Sequence, residues 1–294
     1  AADDLDNSDT QQVSFTLKAT DGDMDVDTAT QTITITDGDG PTLGEVTSVN
    51  LAVAEAALGS GSNAISPAET ASGSVQFTAG SDAIDSIKFG STSGITVTGL
   101  DNASTLVWTP GGDGRTLVGR SDGVDVIRLT LSGASTLAAG NSGSVTVTAE
   151  LLGHLQHEDS PNASSLGVSG ITVVGADDDG DSVSAQVTVS VSDDVPSVSI
   201  SDTPSTVVEG GTLSSGSWSL TPGADGATVK VWVGDSSYDI GTPINTGKGI
   251  LTVNADHSWT FVAANDLIQN AETTQSVSFT LKATDGDKDV ASDS

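Results

Sequence analysis

Three aspartate-rich turns contain the residues of this chain whose types and spacing could bind a metal ion. Each turn has the form DxDxD, and the three sets are Asp21, Asp23 and Asp25; Asp177, Asp179 and Asp181; and Asp285, Asp287 and Asp289. Short carboxylates at alternate positions, with backbone carbonyl groups nearby, are oxygen ligands of the kind that Ca²⁺ prefers. The turns are not EF-hands, because the sixth and twelfth positions counted from Asp21 hold Val26 and Thr32. The spacing therefore predicts calcium sites of another kind.

Further carboxylates recur in register with these turns. The connectors before two prolines contain Asp37 and Asp39, then Asp193 and Asp194, and the strands that follow them end near Glu55 and Glu209. We expect two joints, one combining Asp21, Asp23, Asp25, Asp37 and Asp39, and the other combining Asp177, Asp179, Asp181, Asp193, Asp194 and Glu55. Crowded carboxylates repel unless a divalent ion neutralises them, so the ion would fix the joint. The alternative is a set of plain hydrophilic turns, since Asp-Gly is a favoured hairpin pair.

Tandem repetition organises the chain. The eleven residues 13–23 recur letter for letter as residues 277–287, and identity of that length predicts repeated structural units. The register of the aspartates gives three units: residues 1–40 as the last part of a preceding repeat, residues 41–195 as a long unit, and residues 196–294 as a shorter unit that lacks its last strand. The chain therefore resembles a piece of a longer array.

Composition excludes several classes of function. The 294 residues include 40 acidic and only 9 basic ones, which gives a formal net charge of −31. Such a charge argues against binding to nucleic acid or to anionic membranes, and no run of about 18 apolar residues could cross a bilayer. Cysteine is absent, so disulfides and thiolate metal sites are excluded. The composition suits an extracellular bacterial protein, although a solvated acidic surface, as in proteins of saline habitats, would also explain the charge.

Alternation of apolar and polar residues predicts an all-β fold. Residues 30–36, 144–148 and 186–191 place β-branched residues on one face and Thr, Ser or Gln on the other, which is typical of antiparallel strands with one buried face. Turn-forming clusters separate such stretches by roughly 8 to 12 residues, as in β-sandwiches. We expect Trp232 and Trp259, within strands of the short unit, to be core residues, and Trp108, at the start of a loop, to be exposed.

No enzyme signature is present. His154 and His157 are spaced HxxH and followed by Glu158, but this is not the HExxH of zinc hydrolases, and a loop is the simpler interpretation. Nucleophile elbow, phosphate loop and dinucleotide fingerprint are all missing. Carboxylate pairs like those of glycosidases abound, but their place in repeated turns explains them without catalysis. We therefore expect a protein that is not an enzyme.

Two stretches resemble a known family. Residues 143–157, continued through residues 170–173 and 177–181, look like the type I secretion target repeat, and residues 249–261 are similar to the VCBS-type repeat signature. Both occur as tandem extender repeats of bacterial RTX adhesins exported by type I secretion. The resemblance implies immunoglobulin-like or cadherin-like sandwiches, calcium at domain junctions, a place on the bacterial cell surface, and a role in attachment and biofilm formation. The family's β-roll and secretion signal would belong to the parent protein.

Three hypotheses about function follow. The first is a stalk segment that calcium stiffens, with calcium ions and the adjacent repeats of the same chain as partners. The second is a glycan-binding or peptide-binding module, because the long unit carries extra sequence over residues 79–128, including Trp108, Arg115 and Arg120. The third is strand addition, in which residues 29–36 of one molecule complete the short unit of another.

Overall fold

The computed structural model of the chain describes residues 10–36, 38–158, 165–201, 206–267 and 274–294. These residues form an all-β protein, as the alternation predicted, and they contain no α-helix. No helix in the described ranges has the length and apolar character needed to span a bilayer. The leading segment consists of β1 (Thr10–Thr20) and β2 (Val26–Thr36), which pair as a hairpin joined by the first aspartate-rich turn.

The described residues of the long unit form eleven strands in two sheets. They are β3 (Thr42–Leu43), β4 (Ser48–Ala54), β5 (Thr70–Thr78), β6 (Ser86–Phe89), β7 (Thr96–Thr98), β8 (Leu106–Pro110), β9 (Thr116–Ser121), β10 (Val124–Gly133), β11 (Ser142–Leu151), β12 (Ser165–Ala176) and β13 (Ser182–Ser192). One sheet has the order β3-β5-β11-β10-β9-β8, and the other has the order β4-β13-β12-β6, with β7 paired to β12. Short 3₁₀ turns cover Glu55–Ala57 and Thr92–Gly94.

The two sheets of the long unit enclose one apolar core. Val145, Val147 and Ala149 alternate along β11 and are fully buried, while the threonines between them are only partly buried. Val187 and Val189 of β13 join the same core from the facing sheet. Alternate burial on facing sheets is the packing of a β-sandwich, and it is what the period-two sequence pattern requires.

One strand pair of the long unit is parallel and decides where its carboxylates lie. β4 runs beside β13 in the same direction, with Ala54 opposite Ser192 at the end of both strands. The residues that follow, Glu55 and Asp193, therefore emerge side by side at one end of the sandwich. The β12–β13 turn that carries Asp177, Asp179 and Asp181 lies at the other end of β13.

The short unit is a smaller sandwich, with nine strands in the part that the structure describes. They are β14 (Ser197–Ser201), β15 (Thr212–Thr221), β16 (Ala227–Val233), β17 (Ser236–Asp239), β18 (Ile244–Asn245), β19 (Gly249–Val253), β20 (Ser258–Ala263), β21 (Thr280–Asp285) and β22 (Val290–Asp293). Their sheet orders are β14-β15-β20-β19-β18 and β17-β16-β21-β22. Trp218, Trp259 and Leu281 are among the residues of its buried core.

Among the described residues, no second sheet packs on the β1–β2 hairpin. All 22 residues of its two strands are exposed, including the apolar side chains of Val13, Phe15 and Ile33. The sequence of residues 13–20 in β1 matches that of residues 277–284, which include most of β21, where Leu281 and Ala283 are fully buried. The same strand sequence is therefore a core element in the short unit and an exposed ribbon in the leading segment.

Candidate metal centre

We call the end of the long unit at which β4 and β13 finish its base. Three elements bring Glu55, His157 and Asp193 together there. Glu55 follows β4 and Asp193 follows β13, and the parallel pairing of these strands makes them neighbours. His157 comes from the loop after β11, which an isolated bridge between Leu100 and His157 holds in place. The Leu155 backbone N–H donates a 2.7 Å hydrogen bond to Oε1 of Glu55. Glu55 and His157 are 1% and 0% exposed, so neither side chain reaches bulk solvent.

The facing end of the short unit presents the third aspartate-rich turn. The backbone of the turn closes with a hydrogen bond from Asp285 N–H to the Asp289 carbonyl oxygen (3.2 Å), and Oδ1 of Asp285 accepts a second one from Asp289 N–H (2.7 Å). Lys288 takes a positive φ of 76°, which tightens the turn. Asp225, in the loop before β16, accepts a hydrogen bond from Asp287 N–H (3.2 Å) and so lies beside the turn.

The three aspartate-rich turns share one local conformation. The first aspartate donates its N–H to the carbonyl oxygen of the last at 3.0 Å in the Asp21 turn, 3.1 Å in the Asp177 turn and 3.2 Å in the Asp285 turn. The residue before the last aspartate has a positive φ in each, and it is Met24, Gly180 or Lys288. The repeated sequence therefore specifies a repeated geometry, in which the three carboxylates lie on a tight loop.

A continuous string of ligand groups crosses the meeting of the two units, which we call the seam. Three sets have ligand atoms within 4.8 Å of one another: Glu55, His157 and Asp193; Asp193, Asp287 and Asp289; and Asp225, Asp285 and Asp287. Asp193 belongs to the first two sets and Asp287 to the last two. The seam cluster is these seven residues. Its first set lies in the long unit, its last set lies in the short unit, and its middle set takes ligands from both.

Several oxygen atoms of the seam cluster are buried without a hydrogen-bond partner among the described residues. They include Oδ2 of Asp193, Oδ2 of Asp285 and Oδ1 of Asp287. Buried polar atoms in folded proteins are nearly always satisfied, and leaving a carboxylate oxygen unsatisfied is costly. The cluster thus has a buried set of hard oxygen donors turned toward one another. Its chemistry fits a divalent cation such as Ca²⁺, which binds six to eight such oxygens.

The electrostatics of the seam cluster favour the protonated forms of its acids when no cation is present. Burial, together with the neighbouring Asp287, raises the pKa of Asp193 to about 7. Burial, with a hydrogen bond and repulsion from Asp287, raises the pKa of Asp285 to about 8, and the pKa of Asp225 also rises through burial and Asp287. Burial lowers the pKa of His157, but Glu55, Asp193 and Asp287 outweigh it, so that the pKa is raised.

Asp194 has a different environment from Asp193. It is buried, and its two carboxylate oxygens accept hydrogen bonds from the backbone N–H of Ser62 (2.7 Å) and from the Ser62 hydroxyl. The structure does not bring it into any of the three ligand sets. Nearby, the Ser60 hydroxyl donates to the Ala224 carbonyl oxygen (3.1 Å), so the two units also touch through uncharged groups.

The expectation that Asp177, Asp179 and Asp181 share a joint with Asp193, Asp194 and Glu55 is wrong. The eleven residues of β13 separate the two groups, because the turn precedes this strand and the connector follows it. The turn instead lies near the linker that enters the long unit, where a side chain at Gly40 would meet the Asp181 carboxylate. The joint is therefore made by the connector of one unit and the turn of the next.

The Asp177 turn is itself partly buried. Oδ1 of Asp177 and Oδ1 of Asp179 are buried and have no hydrogen-bond partner among the described residues. Burial, and after it the neighbouring Asp179, raises the pKa of Asp177 to about 6.

The grouping of Asp21, Asp23 and Asp25 with Asp37 and Asp39 is wrong for the same reason. The turn of the β1–β2 hairpin is at the far end of β2 from the connector. Its three carboxylates have ligand atoms within 4.8 Å of one another but are fully exposed. Asp39 binds to the long unit through its N–H, which donates to the Ser81 hydroxyl (2.9 Å), and Asp37 lies outside the described residues.

Glu209 occupies the place in the short unit that Glu55 occupies in the long unit. It accepts a hydrogen bond from Leu267 N–H (2.5 Å), as Glu55 does from Leu155 N–H. Its side chain is exposed, and it belongs to no ligand set in the described part of the chain. The recurring hydrogen bond places Glu209 at the base of the short unit, remote from the seam.

The side chains proposed for ligand binding have structural roles. Trp108 is half-buried and packs against the core of the long unit, so the expectation that it is exposed is wrong. Arg115 donates hydrogen bonds to the carbonyl oxygens of Ile87 (2.8 Å) and Ala134 (3.1 Å). Arg120 forms an ion pair with Asp125 (2.5 Å). In the short unit Trp259 is buried, whereas Trp232 is partly exposed and lies under the Lys282 ammonium.

Two members of the seam cluster were not predicted as ligands. The sequence around His157 predicts a loop, and the motif analysis does not include Asp225. A signal for Asp225 exists in the repeat, since Gly223-Ala224-Asp225 follows β15 as Gly80-Ser81-Asp82 follows β5. The aspartate at this position therefore recurs between the two units, after β5 in the long unit and after β15 in the short unit.

No protein-family model and no curated protein matches the sequence. Solved structures that match this chain include domains EC1-3 of mouse clustered protocadherin PcdhgC3. The match has 9% sequence identity and a TM-score of 0.27, and it covers 98% of this chain and 76% of that one. Cadherin-like domains 1 to 4 of zebrafish RET show 10% identity over 98% of this chain and 57% of that one, at a TM-score of 0.26. The major pilin subunit BcpA of Bacillus cereus shows 9% identity over 92% of this chain and 66% of that one, at a TM-score of 0.24. Likeness at this level assigns the chain to no family.

Proposed function

We propose that this chain is a non-enzymatic extender segment of a large bacterial surface adhesin of the RTX type, exported by type I secretion, and that calcium at the seam stiffens it. In this function the segment holds a binding tip away from the cell for attachment and biofilm formation. The observation that carries the proposal is the string of ligand sets across the seam, in which the middle set takes Asp193 from one unit and Asp287 and Asp289 from the next.

Charge explains why a cation at this place would stiffen the chain. The seam cluster contains six acids and one histidine, and several of its oxygens are buried and unpartnered. Without a cation, ionised carboxylates on the two facing ends repel each other. Calcium bound by Asp193, Asp287 and Asp289 would replace that repulsion by attraction to a shared ion, and so would restrict hinge motion between the two units. Uncharged contacts such as Ser60 to Ala224 would then be kept closed.

Small-angle X-ray scattering with and without chelator tests the proposal. We expect the maximum dimension of the full chain to be greater, and its distribution of conformations narrower, in millimolar calcium than in excess chelator. Asp193→Asn, which removes a carboxylate from two of the three ligand sets, should reduce this difference. Asp178→Asn removes the same charge from an exposed position outside the ligand sets and should leave the difference intact.

An unchanged maximum dimension on adding calcium to the wild-type chain would overturn the stiffening role. A calcium effect of equal size in Asp193→Asn and in the wild type would show that calcium acts elsewhere, for example at the Asp177 turn. The ligand-binding alternative has no specific support, because Trp108, Arg115 and Arg120 are engaged in packing, backbone hydrogen bonds and an ion pair.

A further inference from the structure

His157 differs from every other member of the seam cluster. Its imidazole is fully buried, and neither ring nitrogen has a hydrogen-bond partner among the described residues. Nε2 lies 3.4 Å from Oε1 of Glu55, a distance for charge attraction, without the geometry of a hydrogen bond. A ligand nitrogen of His157 lies within 4.8 Å of carboxylate oxygens of Glu55 and Asp193. The set is thus one nitrogen and two oxygen donors around a common point.

All three donors belong to the long unit. The backbone on either side of His157 is tied to the neighbouring loop, since Asp101 N–H donates to the Gln156 carbonyl oxygen (3.0 Å) and Glu158 N–H donates to that of Gly99 (2.9 Å). Glu55 is oriented by the N–H of Leu155. This support for Glu55 and His157 comes from the long unit, whereas Asp193 is shared with Asp287 and Asp289 of the short unit.

The other copies of the repeat lack this nitrogen. The hydrogen bond from Leu155 to Glu55 in the long unit corresponds to that from Leu267 to Glu209 in the short unit. His157 lies two positions after Leu155, and the residue two positions after Leu267 is Gln269. The leading segment has Asn7 at the matching place in its sequence. Gln269 and Asn7 lie outside the described residues. A histidine at this position is therefore particular to the long unit. The short unit forms the same glutamate-to-loop hydrogen bond without it.

The donor chemistry separates this set from the other two. Carboxylate oxygens alone suit Ca²⁺, as in the sets built from Asp193, Asp287 and Asp289 and from Asp225, Asp285 and Asp287. Imidazole nitrogen with carboxylate suits transition-metal ions such as Zn²⁺, Mn²⁺ and Co²⁺. We infer that His157, Glu55 and Asp193 form a transition-metal site at the base of the long unit, next to the calcium positions of the seam. The inference concerns the long unit and does not depend on calcium stiffening the chain.

A protonated His157 acting as an internal cation for Glu55 and Asp193 is the competing explanation. An imidazolium has two N–H donors, and burying both without acceptors is unfavourable. A neutral imidazole bound to a metal uses the lone pair of one nitrogen and so accounts for that nitrogen directly. The two explanations differ in one measurable property, which is whether a metal binds to nitrogen at this place.

Cobalt(II) is a suitable probe because its visible absorption reports nitrogen and oxygen ligands directly. The chelator-stripped full chain would be titrated with Co²⁺ in saturating calcium, so that the all-carboxylate sets are already filled. We expect one Co²⁺ per chain to bind with a new visible absorption band. His157→Gln should weaken this binding by more than roughly tenfold, whereas His154→Gln, which changes an exposed histidine three residues away, should bind Co²⁺ like the wild type.

X-ray absorption spectroscopy of the Co²⁺-loaded or Zn²⁺-loaded wild-type chain keeps the inference falsifiable if His157→Gln does not fold. We expect a nitrogen ligand with the scattering pattern of imidazole. This signal should be present both with and without calcium. Failure to bind Co²⁺, binding that is equal in His157→Gln and the wild type, or a shell of oxygen ligands only would overturn it. If the wild-type chain does not extend in calcium but still binds Co²⁺ through His157, the proposed function is refuted and the transition-metal site is supported.

Discussion

Replacement of Asp287 by asparagine tests whether the seam cluster is built for a cation, because it should raise stability in the absence of calcium, and calcium should cancel or reverse that gain. Asp287 is 4% exposed and has ligand atoms within 4.8 Å of four other carboxylates, those of Asp193, Asp225, Asp285 and Asp289. Two unit charges separated by 4.8 Å interact by roughly 3 kcal/mol at an effective dielectric constant of about 20.

In metal-free protein, the substitution removes repulsion. Partial protonation of the neighbouring acids and screening by solvent reduce the gain, so we expect Asp287→Asn to be more stable than the wild type by about 1–3 kcal/mol in excess chelator. In calcium, the variant loses a ligand of two sets. If calcium at about 100 times its Kd stabilises one set by about 2.7 kcal/mol, a tenfold loss of affinity lowers that to about 1.4 kcal/mol. The loss at two sets should cancel or reverse the gain.

The assay is thermal or urea unfolding of both proteins in chelator and in millimolar calcium. Asp23→Asn is the matched control, because Asp23 is the middle residue of the same turn sequence in the exposed β1–β2 hairpin. Removing a charge there should change stability by no more than about 0.5 kcal/mol in either buffer. If Asp287→Asn is less stable than the wild type by the same amount in both buffers, Asp287 acts through local packing and the reasoning fails.

The remaining predictions concern protons, the core and the leading segment. In chelator, the stability of the seam should fall as pH rises from about 4 to about 8. The folded state raises the pKa of Asp193 to about 7 and that of Asp285 to about 8 from the ordinary value of 3.8, so their stabilising contribution is complete below about pH 4 and is lost as the pH rises through the raised values. Unfolding at several pH values would reveal this loss, and a rise in stability over the same range would contradict the assignment. Calcium binding at pH 7 should release protons from these acids, which calorimetry in buffers of different ionisation enthalpy measures, and a heat independent of the buffer would exclude the release. Leu129→Ala, at a fully buried position of the long unit, should lower the free energy of unfolding by about 2–5 kcal/mol. Leu17→Ala, in the exposed hairpin, should lower it by no more than about 0.5 kcal/mol. Equal effects of the two substitutions would mean that the hairpin is packed in solution. Strand addition by the hairpin predicts self-association that depends on concentration and is lost in Ile33→Lys, as sedimentation velocity would show, and a monomer at all concentrations would dismiss it.

The strands and their faces could be predicted from the sequence. The alternating residues of β11 and β13 specify which side chains are buried, because side chains of a strand point to opposite faces in turn. The shared conformation of the aspartate-rich turns could also be anticipated, since the turns at Asp21 and Asp285 differ in one residue, Met24 or Lys288, and form the same backbone hydrogen bond.

The partners of each carboxylate could not be predicted, because they depend on contacts between distant parts of the chain. Alternation does not reveal that β4 and β13 are parallel, and this pairing puts Asp193 beside Glu55 and away from Asp177. His157 is similar: its sequence neighbours indicate a loop, and only the burial of that loop against Glu55 turns it into a candidate ligand. Trp108 was misplaced because a loop-like sequence followed it, while its ring packs back on the core.

The parallel pairing of β4 with β13 also governs how the long unit responds to mechanical load. Tension along the chain enters near the start of β4 and leaves after the end of β13, so it pulls these two adjacent strands in opposite directions along their length. Their seven paired positions, from Ser48 opposite Gln186 to Ala54 opposite Ser192, are then loaded together in shear and cannot be opened one after another. A fibre made of such units would resist extension by rupture of whole strand pairs, with each unit giving way in a single step.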